Sequence, residues 1–301
     1  MRYSRLAVLA AVVISLAGCV TQPKQFLAPA GREVAGGRDL LVTVPQSEII
    51  AGIQESNMTA AAGGGLLFAL IDAGVNQSRA KKAEIAIVPV RDALTDYAFD
   101  KKALALSEEI GRSLPWLGVK KSELNKDPSN ARLSGAIDAS PGPQLLTMTY
   151  DYLLDNNFQV LKVGANLSLL PKALPKKGGK PEQRVLLTNA DFNRRIVTIF
   201  PLDGGGTKEL DQNAAQWAKD GGKQAEEKLD RALAKMAVLT KKALEFTPEQ
   251  DKALNKTKNQ TIQGVVGKVV EKDADGTLLR DNFGLWQYVF DSSTASQAAA
   301  P

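Results

Sequence analysis

The chain contains no histidine and a single cysteine, Cys19. Without an imidazole there is no Ser–His–Asp triad, no Cys–His pair and no His-ligated metal. One thiol closes no internal disulfide. Aromatic residues make up only 6% of the 301 positions. No apolar run reaches the roughly 20 residues that a membrane-spanning helix requires. Nothing calls for a cofactor or a metal. The Gly63-Gly64-Gly65 triplet can cradle an anion with its backbone N–H groups, but no Gly-Lys-Ser/Thr follows it. What remains is 24% charged, 44% hydrophobic and carries a net charge of +5, the balance of a globular protein.

The first twenty residues carry the most specific signal. Arg2 and Arg5 precede an apolar stretch from Leu6 to Ala17, which ends in Leu16-Ala17-Gly18-Cys19. That order of parts is a processing segment rather than an element of the fold. It resembles the lipobox of bacterial lipoproteins. The resemblance implies cleavage between Gly18 and Cys19, diacylation of the Cys19 sulfur and acylation of the new amine. Two or more acyl chains give a stable anchor where one gives only marginal binding. The chain is then a partner of the membrane through its N-terminal acyl chains. Val20 follows the cysteine where an aspartate commonly retains such proteins in the inner membrane. The resemblance therefore implies the outer membrane, facing the periplasm, and excludes nucleic acid as a partner.

Residues 19–38 read as a lipidated N-terminus and flexible tether, broken by Pro23, Pro29, Gly31, Gly36 and Gly37. Residues 39–246 read as the body, 247–290 as a linker and C-terminal β-hairpin, and 291–301 as a disordered tail. Within the body, Leu40 to Ile53 begins as a strand. Asn57 to Lys82 reads as a helix, with Arg79, Lys81 and Lys82 near its C-terminus. A second helix is expected from Asp100 to Ser113. Gln144–Leu154 and Phe158–Leu170 read as paired strands around an Asp155-Asn156-Asn157 turn, because Asn and Asp tolerate positive φ. Arg184–Asn189 and Arg195–Phe200 are further strands. A long helix spans Gln212 to Phe246 with a bend at Gly221-Gly222. Gly264–Val270 and Thr277–Phe290 form the final hairpin, the latter with a bulge at Gly284. This order does not alternate as βαβα. It predicts an α+β fold, a mainly antiparallel sheet covered by helices, with a C-terminal β-hairpin.

Candidate chemistry is sparse. Ser78 and Lys81 have Ser-x-x-Lys spacing without the partner motifs of penicillin-recognising enzymes, so a solvated helix end is the simpler reading. Asp151 and Asp155 are candidates for paired carboxylates acting on glycans, or merely flank a turn. Asp273-Ala274-Asp275-Gly276 resembles the start of a calcium loop but lacks the glutamate at its twelfth position. Lys172, Lys176, Lys177, Lys180 and Arg184 form a basic loop suited to phosphates or to solvent. Phe283, Trp286, Tyr288 and Phe290 suit a sheet core or a partner groove. Ala61, Gly65, Ala69 and Ala73 fall four apart, a smooth ridge that permits close backbone approach within the fold or across an interface.

These readings point to a non-catalytic, lipid-anchored envelope protein, a scaffold or accessory subunit that binds an unidentified envelope protein or a second copy of itself. The alternatives are a carboxylate-dependent hydrolase of envelope polymers and a carrier of an apolar ligand. Cys19→Ser should leave the precursor unprocessed and move the protein out of the detergent phase in Triton X-114 partitioning. Normal processing and retained lipid in that variant would refute the lipobox.

Overall fold

The computed structural model describes residues 24–33, 36–52, 77–172 and 190–291. Its strands are β1 (Arg38–Thr43), β2 (Ile50–Ala51), β3 (Val119–Asn125), β4 (Gln144–Leu154), β5 (Val160–Pro171), β6 (Phe192–Pro201), β7 (Gln260–Ile262), β8 (Val265–Lys272), β9 (Gly276–Arg280) and β10 (Trp286–Phe290). The helices are α1 (Pro29–Arg32), α2 (Gln77–Ala86), α3 (Val88–Ala93), α4 (Phe99–Ser113), α5 (Asn130–Ala139), α6 (Leu210–Ala218), α7 (Lys223–Glu245) and α8 (Pro248–Leu254). The strands form one ten-stranded sheet in the order β3-β1-β4-β5-β6-β10-β9-β8-β7, with β2 beside β4. The fold is α+β, and the sheet is mainly antiparallel and covered by helices.

The long strands β4, β5 and β6 form its spine. They pair antiparallel from Gln144↔Pro171 to Leu154↔Leu161 and from Val160↔Pro201 to Leu169↔Phe192. Alternate side chains point to opposite faces. Met148, Tyr150, Tyr152, Val163, Leu167, Ile196 and Phe200 therefore share the main core with the inner sides of α4, α6 and α7. In α7, Ala225, Leu229, Ala232, Met236, Leu239 and Ala243 form the buried stripe, at the spacing of one helical face. The opposite sheet face carries α5, whose Ile137 packs with Leu41, Leu145 and Leu170, and a second small cluster of Val197, Ile199, Leu279 and Val289.

Several expectations change. The chain from residue 24 onward is not a free tether. Asn193 N donates to Lys24 O at 2.8 Å, so Lys24 fills the place beside β6 that precedes the first β10 pair, Trp286↔Ile196. Leu27 is buried, and β1 already begins at buried Arg38. The expected linker at 247–259 contains α8, which starts with a capping box between Thr247 and Gln250. Thr277–Phe290 is two strands rather than one. Asp281 accepts from Phe283 N and Leu285 N, which turns the chain so that β10 returns antiparallel to β9 and parallel to β6. The C-terminal hairpin is thereby built into the sheet. At the β4–β5 turn the positive φ falls on Phe158, not on Asp or Asn. Burial of its ring and the bond from Trp217 Nε1 to its carbonyl, 2.7 Å, offset the backbone strain. Helix α2 runs on to Ala86, past the expected end at Lys82. Strand β3 and helix α5 were not expected at all. The bend between α6 and α7 lies at Asp220, Gly221 and Gly222, all at positive φ. Most of Asn57–Lys82, the strand at 184–189 and the tail from 292 lie outside the described residues.

The β8–β9 turn is tied to α7 through Asp273, which accepts from Tyr288 Oη, from Lys235 Nζ at 3.0 Å and from the backbone of Asp275 and Gly276. Desolvation raises its pKa, but the hydrogen bonds outweigh that and hold it at about 2. A carboxylate depressed in the folded state stabilises above its unfolded pKa and loses that contribution as pH falls through the folded value. Wild type should therefore melt higher than Asp273→Asn at pH 6, and the gap should close between about pH 4 and pH 2. Melting curves of both proteins across that range check this.

Candidate functional site

The residues expected to carry chemistry are mostly held in structural roles. Asp151 lies on the sheet face away from the main helices, where Arg195 grips it with two bonds of 2.9 and 3.0 Å. Gly164 opposite makes room for the pair, since a Cβ there would come within 2.6 Å of Asp151 Oδ1. Asp155 accepts from Gln159 N and Val160 N and closes the β4–β5 turn. Burial raises its pKa, with those bonds opposing. Four residues along extended chain separate the two carboxylates by about 13 Å, beyond the roughly 5–9.5 Å of a glycosidase pair. The structure does not bring them together as a site. Ser78 and Lys81 share α2, with Lys81 exposed. Lys172 Nζ donates to Ser140 O at 2.7 Å. Trp286, Tyr288 and Phe290 are buried in the sheet core, while Phe283 is 63% exposed. The Asp273 turn is engaged as described above. Gly18, Cys19, Ala61, Gly63, Gly64, Gly65, Ala69, Ala73, Lys176, Lys177, Lys180 and Arg184 lie outside the described residues.

The unusual chemistry lies elsewhere, at Arg194. Alternation along β6 sends Phe192, Arg194, Ile196, Thr198 and Phe200 to the helix side, so this arginine points into the core and is only 2% exposed. Four rings surround its guanidinium: Trp286 at 4.7 Å, Phe26 and Phe246 at 5.5 Å, and Phe192 at 6.0 Å. Its Nη2 donates to Gln25 O. Its Nε and Nη1 have no partner among the described residues. Burial drives its pKa down to about 9, helped by the like charge of Arg280 and opposed by Asp251. Arg280 pairs directly across from Trp286 on β9. It is also buried; its Nη2 stands 3.0 Å from Asp251 Oδ1 as an ion pair, and its Nη1 donates to Asn255 Oδ1 at 3.2 Å. Arg280 Nε and Trp286 Nε1 are likewise without partners among the described residues.

The roof of this cluster has two parts. One is the N-terminal strap, residues 24–33. Phe26 stacks on Phe246 at 6.3 Å, Gln25 Nε2 donates to Phe283 O at 2.7 Å, and Arg32 Nη2 donates to Leu244 O at 3.0 Å. Arg38 holds the end of the strap through Gly31 O at 2.6 Å. The other part is the junction of α7 and α8. A groove of about 720 Å³ opens there, lined by the apolar Val238, Phe246, Ala253, Leu254 and Val270 and by the charged Lys241, Lys242 and Glu245. That volume is in the range of small-molecule sites. Phe246 belongs to both the groove and the ring cage.

Arg194 and Arg280 were missed as candidates. The legible signal was parity: each stands at an inward position of a strand whose other inward residues are mostly apolar. Among the described residues no cluster of His, Cys, Asp and Glu is suited to a metal ion, and no helix is long and apolar enough to cross a membrane. Comparison with known proteins brings no relative: no family model, no curated protein and no solved structure matches this chain.

The strap depends on Phe26, so Phe26→Ala should free it without unfolding the sheet. Limited proteolysis is expected to cut the variant within residues 24–33 faster than wild type, while the remaining body stays resistant. Equal cutting rates would show that the ring does not hold the strap.

Proposed function

We propose that this protein is a lipid-anchored, non-catalytic scaffold or accessory subunit of a bacterial cell envelope. Cys19 carries its acyl chains, and the body faces the periplasm from the outer membrane. Its partner is another envelope protein or a second copy of the chain. The observation that carries this reading furthest is the strap. Lys24 stands five residues from Cys19 and is already fixed beside β6. Five residues of fully extended chain reach about 18 Å at most. An acyl anchor on Cys19 then holds the sheet close to the headgroups and presents it in one orientation, as a scaffold requires.

The sheet face opposite α4, α6 and α7 supports a binding role. Thr149, Asp151, Lys162, Asn166, Asn193, Arg195 and Gln287 are half-buried and lie on one side of four adjacent strands. They form a polar platform between α5 and the Val197–Leu279 cluster. The hydrolase alternative loses support, because Asp151 and Asp155 are separated and each is engaged. The carrier alternative gains a specific feature, the apolar groove between α7 and α8.

Orientation provides the test. Phe283 sits beside the strap, near the Asn193 end of β6, and Asn156 lies in the turn near the Pro201 end. About 30 Å of strand separates these ends. With Cys19 acylated, Phe283→Cys and Asn156→Cys each offer one thiol for a fluorophore. In vesicles carrying headgroup quenchers, the label at 283 should be quenched and the label at 156 should not. Equal quenching at both positions in membrane-bound protein would remove the oriented-scaffold reading.

A further inference from the structure

We infer that the Arg194–Arg280 cluster and the adjoining α7–α8 groove form one binding site for an amphiphilic anion, an acyl-type chain bearing a carboxylate or phosphate head. This deepens the carrier reading of the groove and does not depend on acylation of Cys19.

The donor inventory points to the head group. Arg194 offers Nε and Nη1, Arg280 offers Nε and Trp286 offers Nε1, all buried and all without partners among the described residues. These four are donors; the cluster's one acceptor without a hydrogen bond is Asp251 Oδ1, which forms an ion pair with Arg280. Asp251 is the carboxylate that meets Arg280, so two buried guanidiniums face one acid. A buried charge is tolerated when it is paired and hydrogen-bonded. A carboxylate or phosphate supplies both the acceptors and the missing negative charge, and Arg binds such groups with its planar fork. The three residues sit on neighbouring strands: Trp286 pairs with Arg280 on one side and with Ile196, two residues past Arg194, on the other.

The groove supplies the apolar part. Gln250 and Leu254 of α8 line it, while Asp251 of the same turn reaches Arg280. Phe246 walls the groove and also stands 5.5 Å from Arg194. Head and chain sites therefore share one side chain and one helical turn. Lys241, Lys242 and Glu245 also line the groove, and Lys242 pairs with Glu271, so the preference for an anionic head rests on the two buried guanidiniums.

The test uses the chain from residue 19 with Cys19→Ser, purified without detergent, and four probes: dodecyl phosphate, dodecanoate, dodecanol and inorganic phosphate. Calorimetry should show dodecyl phosphate or dodecanoate binding at least tenfold tighter than dodecanol. Inorganic phosphate alone should bind more weakly than dodecyl phosphate. Arg194→Met should abolish the preference for the charged head, and Arg194→Lys should restore part of it, with thermal melts confirming that both variants are folded. Should Arg194→Met fail to fold, Arg280→Met is measured in its place, with the same loss of preference expected. If the charged and neutral amphiphiles bind equally, the head-group inference is overturned and the groove remains. If inorganic phosphate binds as tightly as dodecyl phosphate, the cluster is a plain ion site and the amphiphile is overturned. If no dodecyl probe binds, the groove reading fails with it.

Discussion

A guanidinium enclosed by aromatic rings is the constraint around which the distant parts of this chain meet. Strand parity leaves Arg194 no choice of face: with Phe192, Ile196 and Phe200 inward, Arg194 is inward as well. Taking such a charge out of water costs several kcal/mol. A desolvated cation–π contact returns about 2 kcal/mol. The four rings come from four regions of sequence, Phe26 before β1, Phe192 in β6, Phe246 at the end of α7 and Trp286 in β10. Enclosing one side chain thus closes the N-terminal strap, the central strand and the end of the longest helix against each other. It also explains why the C-terminal strand β10 lies beside β6 rather than outside the sheet, since Trp286 supplies the nearest ring.

The two faces of the sheet do different work. The helix side holds the continuous core, and its inward residues are apolar on nearly every strand. Among the described residues the other side has two small clusters, one under α5 and one around Leu279. Between them the strands carry polar residues and the Asp151–Arg195 pair. The pair is bidentate and its side chains are only 22% and 14% exposed, so it contributes more than an ordinary surface pair. Its consequence is to keep the middle of the sheet wet, so that the face does not become an apolar patch that would recruit any passing chain.

The α+β class, the β4–β5 hairpin, α4 and the α6–α7 helix with its break were legible from periodicity and turn residues alone. The stripe from Ala225 to Ala243 and the Gly221-Gly222 bend needed no tertiary information. The misses have physical causes. Strand β3 reads Val-Lys-Lys-Ser-Glu-Leu-Asn, and its charges belong to an edge strand rather than to a loop. The turn at Asp281–Leu285 looked like a bulge because both interrupt alternation at Gly284. The strap looked like a tether because prolines and glycines mark loops whether or not a ring such as Phe26 pins them down. Arg194 was hidden because the expected strand began one residue later, at Arg195, whereas β6 begins at Phe192. Only the pairing of β6 with β5 and β10 fixes which face it takes.

The guanidinium of Arg194 also has two edges with different tasks. Nη2 bonds the strap at Gln25 O, while Nε and Nη1 remain for an acceptor within the cluster. The strap and an anion therefore use separate atoms of one rigid, planar group, and neither displaces the other. Whatever fixes the plane of that group for one occupant fixes it for the second. Linkage then requires the effect to run both ways: a strap seated on Phe246 favours the anion to the same degree that the anion favours a seated strap. With Cys19 acylated as proposed, five residues before the strap, occupancy of the cluster would be coupled to the position of the body over a membrane through a single side chain.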